Sequence, residues 1–165
     1  MFSFFCFESY FQAVDEDVIK EVTWGSGNYR EKAVLLWDLE NIPYSHLPQV
    51  KQSLKFAPER SFIITTNPIK HSKLISMQKN GFEVLVAHKS DSDAKIKSVY
   101  RILKEYDEFI FISSDSDFVD IGKKILFERK KLTWIMQDAN KKRIAMKMNL
   151  CDKNLKLITL SRFEL

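Results

Sequence analysis

The sequence predicts an α/β fold, a three-layer α/β/α sandwich with a mainly parallel sheet of five or six strands. Short apolar runs recur along the chain, and the first of them, in residues 33–37, has no charged residue, as expected of a buried strand. Longer amphipathic stretches of helical length separate these runs. Strands that alternate with helices of this length imply crossover connections, parallel strands and helices on both faces of the sheet.

The elements follow one another regularly from residue 33 onward. Each strand candidate is rich in Val, Ile, Leu, Phe or Trp, and the candidates are 33–37, 61–65, 82–87, 109–113, 132–136 and 155–160. The intervening helix candidates are 45–55, 69–80, 93–105, 118–129 and 141–149. The pair Asn80 and Gly81 is typical of a helix C-terminus and should end the second helix.

The length and composition indicate one globular domain. The chain has 165 residues, of which 45% are hydrophobic, enough for a packed core. We assign residues 31–165 to this domain and residues 1–30 to an N-terminal extension that ends near Gly25 and Gly27. Phe4, Phe7 and Phe11 have helical spacing, so we expect the extension to dock on the domain or to form a homodimer contact.

Charge and cysteine content narrow the class of protein. The formal net charge is +4 and the pI is about 9.0, which suits either a polyanion-binding enzyme or an ordinary mildly basic protein. The two cysteines, Cys6 and Cys151, form no disulfide framework or zinc motif, which favours a cytoplasmic location. The apolar start lacks the features of a signal peptide or membrane span, so no membrane association is expected.

Acidic side chains follow three of the predicted strands. Asp38 ends the first strand, Asp91 and Asp93 follow the third, and Asp115 and Asp117 follow the fourth. Because the C-terminal ends of parallel strands share one edge of the sheet, these carboxylates are expected to converge. Carboxylates crowded together repel one another unless a cation neutralises them, so we interpret the convergence as a metal site.

The donors indicate the kind of metal. Aspartate and amide oxygens, including that of Asn41 close after Asp38, are ligands for a hard cation such as Mg²⁺ or Mn²⁺. His46, His71 and His88 have no metal-ligand spacing. Helix capping is the structural alternative for each acid taken alone, since Asp and Asn are common at helix starts.

Three segments together resemble a known family. Residues 37–43 (WDLENIP), 89–96 (KSDSDAKI) and 113–118 (SSDSDF) are similar, in this order and spacing, to NYN domains of the PIN-like ribonuclease superfamily. The first two segments most resemble the NYN domain of meiosis regulator and mRNA stability factor proteins. The resemblance covers about 33–160 and implies a PIN-like fold.

The resemblance also implies site residues. It makes Asp38, Asp93, Asp115 and Asp117 the catalytic, metal-binding acids and gives Asn41 a supporting place. Two positions depart from the family pattern. Ser114 stands where the family often has Gly, and Asp91 competes with Asp93, which we favour because Lys95 and Ile96 then align with the family's helix start.

The implied activity is metal-dependent hydrolysis of RNA phosphodiesters. Bound cations would activate water and neutralise the leaving oxygen, so no side-chain nucleophile is needed. A single-stranded substrate is favoured because its backbone reaches a sheet edge easily. Candidate RNA contacts are Lys89, Lys95, Lys97 and Tyr44. Phe118 could also stack a base, although its helical pattern favours the core, and 141–143 form a second basic candidate patch.

Two alternatives come from other classes. The first is an RNA-binding or adaptor module that keeps the fold but has weak activity or none. The second is a phosphatase with an aspartyl nucleophile, which usually requires Asp-x-Asp after the first strand. Here Asp38 is followed by Leu39 and Glu40, so the phosphatase ranks below the other two hypotheses.

Overall fold

The structure is a computed structural model, and it describes residues 29–87, 99, 101 and 103–161. Two predicted features lie wholly or largely outside these residues. They are the N-terminal extension, except for its last two residues, and the helix predicted at 93–105. Within that helix range, residues 99, 101 and 103–105 are described; Val99, Arg101 and Leu103 are helical, and residues 104 and 105 form a turn.

Six strands of the described residues form one sheet in which every neighbouring pair is parallel. They are β1 (Tyr29–Asp38), β2 (Ala57–Thr65), β3 (Phe82–Val86), β4 (Glu108–Ile112), β5 (Lys131–Gln137) and β6 (Leu155–Leu160). Their order across the sheet is β3-β2-β1-β4-β5-β6. The chain thus extends outward from β1 on one side and from β4 on the other. This all-parallel sheet with helices confirms the predicted α/β fold class.

Besides the partly described helix around residues 99–103, four α-helices with bounds in the described residues alternate with the strands, namely α1 (Leu47–Ser53), α2 (His71–Lys79), α3 (Val119–Phe127) and α4 (Lys141–Lys147). Short 3₁₀ turns lead into three of them, at Tyr44–His46, Ser116–Phe118 and Asp138–Asn140. The predicted end of the second helix is confirmed, because α2 stops at Asn80 and Gly81 follows with φ 88°. No helix in the described part of the chain is long and apolar enough to cross a membrane.

The sheet separates two apolar cores because successive side chains of a strand point to opposite faces. On β1, Val34 and Leu36 face the core beneath α3 and α4, while Leu35 and Trp37 face the core beneath α1 and α2. Phe118 packs against Phe111 in the first of these cores, 5% exposed. The helices therefore cover both faces, and the core interpretation of Phe118 is confirmed.

Strand β1 is longer than the apolar run that predicted it. It begins at Tyr29 instead of residue 33, since Tyr29 and Arg30 pair with Ala57 and Pro58 of β2. A register shift separates this pairing from the one that starts at Val34. The added residues are exposed, so a search for buried apolar runs does not find them.

Helix α3 packs closely on β5 at Gly122. A Cβ atom at this position would lie 3.1 Å from Cδ2 of Leu132 and 3.2 Å from Cε of Met148. Gly122 is buried, and both neighbours belong to the same core. The missing side chain thus sets how near α3 approaches the sheet.

Candidate functional site

The candidate site lies at the C-terminal ends of β1 and β4. These strands are neighbours in the middle of the sheet, with Trp37 paired to Ile112. The connections run outward in opposite directions from this pair, which leaves a crevice between the two strand ends. Asp38 follows the first of these paired residues and Ser113 the second, so topology alone brings together residues far apart in sequence.

Asp38 is a buried carboxylate with two side-chain hydrogen-bond donors. It is 2% exposed, and its Oδ2 atom accepts hydrogen bonds from Asn41 Nδ2 and, at 3.0 Å, from Ser113 Oγ. Burial of a carboxylate is costly unless donors replace its lost water. The contact between Asn41 and Asp38 is the proximity that the sequence predicted.

The loop after β1 is fixed by its own backbone. The carbonyl of Asp38 accepts hydrogen bonds from the backbone N–H groups of Asn41 and Ile42, both at 3.2 Å. The indole N–H of Trp37, buried in the core, donates to the carbonyl of Ile42 at 2.8 Å. This tight turn holds the Asn41 amide against Asp38.

A second tether joins this loop to the end of β2. Glu40 accepts hydrogen bonds through Oε1 from the backbone N–H of Thr66, at 2.7 Å, and from the Thr66 hydroxyl. Leu39 N–H also donates to the carbonyl of Ile64 at 3.0 Å, which continues the β1–β2 pairing beyond Asp38. The rim beside Asp38 is therefore built from two strand ends.

Ser113 links Asp38 to the acidic turn after β4. Its hydroxyl oxygen donates to Asp38 and accepts a hydrogen bond from the backbone N–H of Asp115 at 3.0 Å. The Oδ1 atom of Asp115 in turn accepts from the backbone N–H of Asp117 at 2.9 Å. One continuous chain of hydrogen bonds thus joins three of the predicted acids, Asp38, Asp115 and Asp117.

The capping interpretation and the site interpretation both apply to Asp115. Its carboxylate caps the 3₁₀ turn Ser116–Phe118 by accepting from Asp117 N–H. Within the described part of the chain, that N–H is the one hydrogen-bond donor to the Asp115 carboxylate. This capping hydrogen bond uses Oδ1 of Asp115, and no donor among the described residues contacts Oδ2. Asp117 is exposed, whereas Asp115 is partly buried.

Ser114 fastens the acidic turn to the neighbouring β5 and α4. Its hydroxyl accepts a hydrogen bond from the backbone N–H of Gln137 at 3.3 Å, and its carbonyl accepts one from Nη2 of Arg143 at 2.9 Å. The indole N–H of Trp134 also donates to the carbonyl of Ser113 at 2.7 Å. The predicted supporting residue Ser114 thus anchors the turn.

Sequence reasoning missed Ser113 and the contact made by Arg143. A serine after an apolar strand carries no distinctive pattern, and its role depends on β4 lying beside β1. In the sequence, Arg143 stands out only as part of the basic patch at 141–143. Its contact with Ser114 depends on where the chain returns after β5.

Tyr44, a predicted RNA contact, packs against the core. Its ring centroid lies 5.6 Å from that of Trp37 and 5.9 Å from that of Phe82. Burial raises the pKa of Tyr44 to about 12, partly offset by its interaction with Asn80. The ring therefore has a structural role, and its contact with RNA stays a prediction.

The middle motif lies outside the described residues. This applies to Lys89, Asp91, Asp93, Lys95 and Lys97, so the structure does not choose between Asp91 and Asp93. Nor do any three His, Cys, Asp or Glu side chains of residues 29–87 and 103–161 come together in a way that could hold a metal ion. The ligand set of four aspartates stays a prediction.

The donor chemistry fits a hard cation. The residues linked at the strand ends carry the carboxylates of Asp38 and Asp115, the hydroxyl of Ser113 and the amide of Asn41. These supply oxygen donors and no thiolate or imidazole, as Mg²⁺ and Mn²⁺ require. Asp38 is held by two donors, so its orientation is fixed before any ligand arrives.

Comparisons with known proteins agree with this architecture. The family model described as "NYN domain" matches residues 32–156. A solved structure of a protein of unknown function from Vibrio parahaemolyticus aligns with a TM-score of 0.58 and 18% identity, covering 78% of this chain and 93% of that one. At this identity the likeness concerns the fold alone. No curated protein matches the chain.

Proposed function

The chain belongs to the NYN domain family, and from this premise we propose that it is a metal-dependent ribonuclease that hydrolyses single-stranded RNA endonucleolytically. NYN domains have a PIN-like nuclease fold, and nucleases of this kind typically use divalent metals. The observation that carries the proposal is the hydrogen-bonded link from Asp38 through Ser113 to Asp115. It connects the carboxylate of Asp38 to the backbone N–H of Asp115, so that two acidic residues from neighbouring strand ends are tied together beside the exposed Asp117.

The proposed roles follow from these positions. Asp38, Asp115 and Asp117, together with Asp93 from the middle motif, would hold Mg²⁺ or Mn²⁺, which supplies activation of water and neutralisation of the leaving oxygen. Asn41 and Ser113 orient Asp38. The open strand-end crevice suits an unpaired RNA backbone, which can bend into it more easily than a duplex can.

A matched pair of variants tests the proposal. Asp115→Asn removes one charge but keeps the side-chain oxygen that caps Asp117 N–H. Asp152→Asn is the control, because Oδ1 of Asp152 accepts from the backbone N–H of Asn154 at 2.8 Å in the same way. Asp152 precedes β6 and lies at the other end of the strands. The charge and local geometry of the two changes are alike, and only their positions differ.

The assay follows cleavage of a labelled single-stranded RNA with EDTA, Mg²⁺ or Mn²⁺. We expect wild type and Asp152→Asn to cut only with metal, and Asp115→Asn to lose about 10²-fold or more in rate, as removal of a charge-stabilising group does. If wild type binds RNA but cuts no faster than EDTA controls, the ribonuclease proposal fails. The RNA-binding module with the same fold then replaces it.

Further proposals concern relationship, assembly and location. The opening motif WDLENIP supports a relationship to the NYN domain of meiosis regulator and mRNA stability factor proteins. The Phe-rich extension supports a homodimer contact, which deletion of residues 1–27 followed by mass measurement in solution would test. An unchanged mass would exclude that contact. The low cysteine content supports a cytoplasmic location.

A further inference from the structure

Arg143 on α4 holds its guanidinium against the acidic turn. Its Nη2 atom donates at 2.9 Å to the carbonyl of Ser114 and at 3.1 Å to Oδ1 of Asn140. Ser114 lies between Ser113, which contacts Asp38, and Asp115. The permanent positive charge of Arg143 is therefore held at Ser114, the residue between Ser113 and Asp115.

The partners of Arg143 are neutral, and this distinguishes it from two other arginines. Arg30 donates to both carboxylate oxygens of Glu108, and Arg60 donates to both of Glu83. Among the described residues, no carboxylate pairs with Arg143 and no acceptor lies against its Nε or Nη1 atoms. Three N–H groups of this exposed side chain, on Nε and Nη1, therefore have no acceptor within the described part of the chain.

A guanidinium donates two parallel hydrogen bonds through Nη2 together with Nε or Nη1, and here both N–H groups of Nη2 already donate to Ser114 and Asn140. The guanidinium therefore suits a single charge-assisted hydrogen bond from Nη1 or Nε to a phosphate oxygen, with its charge not neutralised by the two neutral contacts. Lys141 and Lys142 are exposed at the start of the same helix. The chain from α3 to β6 also carries many more Lys and Arg than Asp and Glu. This side of the site is therefore suited to a polyanion.

We propose that Arg143 binds a backbone phosphate of the RNA strand beside the carboxylates, so that the strand leaves the site over the start of α4. Lys141 and Lys142 flank this path. The inference rests on the proposed function for its ligand, and it adds the direction of the strand and the residue that anchors it. Asn140 acts as a positioning residue through Arg143.

The test measures binding separately from cleavage. A fluorescein-labelled oligouridine is titrated with each protein in EDTA, and anisotropy gives the affinity over a series of salt concentrations. Arg143→Gln should weaken binding about tenfold and reduce the slope of log affinity against log salt by about 0.7, the loss of one phosphate contact to a single strand. Lys147→Gln removes a charge later on the same helix and should leave both values unchanged.

Two further variants separate phosphate binding from a structural effect. Arg143→Lys keeps the charge, so the salt slope should persist while affinity falls about threefold, because an ammonium does not reproduce the contacts with Ser114 and Asn140 that position the guanidinium. Asn140→Ala should weaken binding in wild type and have no further effect beside Arg143→Gln, because it acts through that side chain. Equal thermal melting of all variants would show that the fold is intact.

The outcomes also separate this inference from the proposed function. Wild-type affinity and salt slope in Arg143→Gln, or no oligouridine binding by wild type, would overturn the role of Arg143. If wild type binds but does not cut with Mg²⁺ or Mn²⁺, while Arg143→Gln shows the expected loss, the phosphate contact stands and the ribonuclease proposal falls.

Discussion

The hydroxyl of Ser113 lies 3.0 Å from Oδ2 of Asp38, although 75 residues separate the two in sequence. The same oxygen accepts the backbone N–H of Asp115. Ser113 is 2% exposed, so water cannot readily replace either contact. A buried hydroxyl thus couples the carboxylate at the end of β1 to the turn that follows β4.

Substitution of Ser113 by Ala should lower both stability and activity. The change leaves Asp115 N–H without its acceptor and takes one donor from Asp38, which should cost about 1–3 kcal/mol in the free energy of unfolding. Urea unfolding measures this cost. Ser53→Ala is the control, because Ser53 Oγ makes a single local bond to the carbonyl of Gln49. If the two variants lose the same free energy of unfolding, the hydrogen bond from Ser113 to Asp38 contributes no more than a local side-chain bond.

Loss of the Glu40 side chain should loosen the end of β2. In Glu40→Ala the Thr66 N–H loses its acceptor, so we expect its amide to exchange about five- to tenfold faster, as for a bond worth about 1 kcal/mol. Glu40→Gln keeps an acceptor oxygen and should retain most of the protection. The exchange rate of the Thr66 amide hydrogen measures this effect. Equal protection of that amide in Glu40→Ala and Glu40→Gln would contradict a stabilising hydrogen bond from Thr66 to Glu40.

The buried phenol of Tyr44 should make stability fall at high pH. Burial raises its pKa from 10.0 to about 12, so the folded state disfavours ionisation more than the unfolded state does. The stability that the neutral Tyr44 phenol contributes is fully present below about pH 10 and is lost as the pH rises from about 10 to about 12. Urea unfolding across this window should show a smaller decline for Tyr44→Phe, which keeps the ring between Trp37 and Phe82.

Tyr106 provides the comparison for this titration, since burial also raises the pKa of its phenol, with Arg60 opposing the shift. Each variant should reduce the loss of unfolding free energy at high pH, and the reductions in Tyr106→Phe and Tyr44→Phe should add in the double variant. A Tyr44→Phe variant that loses stability with pH as steeply as wild type would exclude Tyr44 from the effect.

Gly122 should tolerate Ala far better than Ile. Ala gains about 1 kcal/mol of helix propensity over Gly, but its Cβ presses on Leu132 and Met148, so the two effects should nearly cancel. Ile adds atoms that these neighbours cannot accommodate and should cost about 1–3 kcal/mol. Denaturant unfolding compares the variants. An Ile variant as stable as wild type would show that α3 shifts away from β5 freely.

The sequence predicted the sheet well because buried strands require apolar runs. Residues 33–37 and 109–113 carry no charge and form the paired centre of the sheet. The first residues of β1 were not predicted as strand, because Tyr29 and Arg30 are exposed and pair with β2 through their backbones. The local pattern of apolar residues indicates which strand residues are buried, but it does not indicate backbone pairing at an exposed strand end.

For the candidate site, the sequence predicted residue types but not their connections. Asp38 and Asp115 were predicted from the rule that loops follow strands at one sheet edge, and the contact of Asn41 with Asp38 follows from their short separation. Ser113 and Arg143 could not be predicted in the same way. Their contacts cross between β1 and β4 and between β4 and α4, so they depend on which strands become neighbours.

The strand order also determines how the molecule tolerates partial opening. Asp38 ends β1 and Ser113 directly follows β4, the innermost pair of strands, and β4 is separated from the outer strand β6 by β5. Fraying of β6 would leave the hydrogen bond between Asp38 and Ser113 in place, whereas separation of β1 from β4 would break it in one step. Strand β6 can therefore open, or pair with another molecule, without disturbing this link at the centre of the sheet.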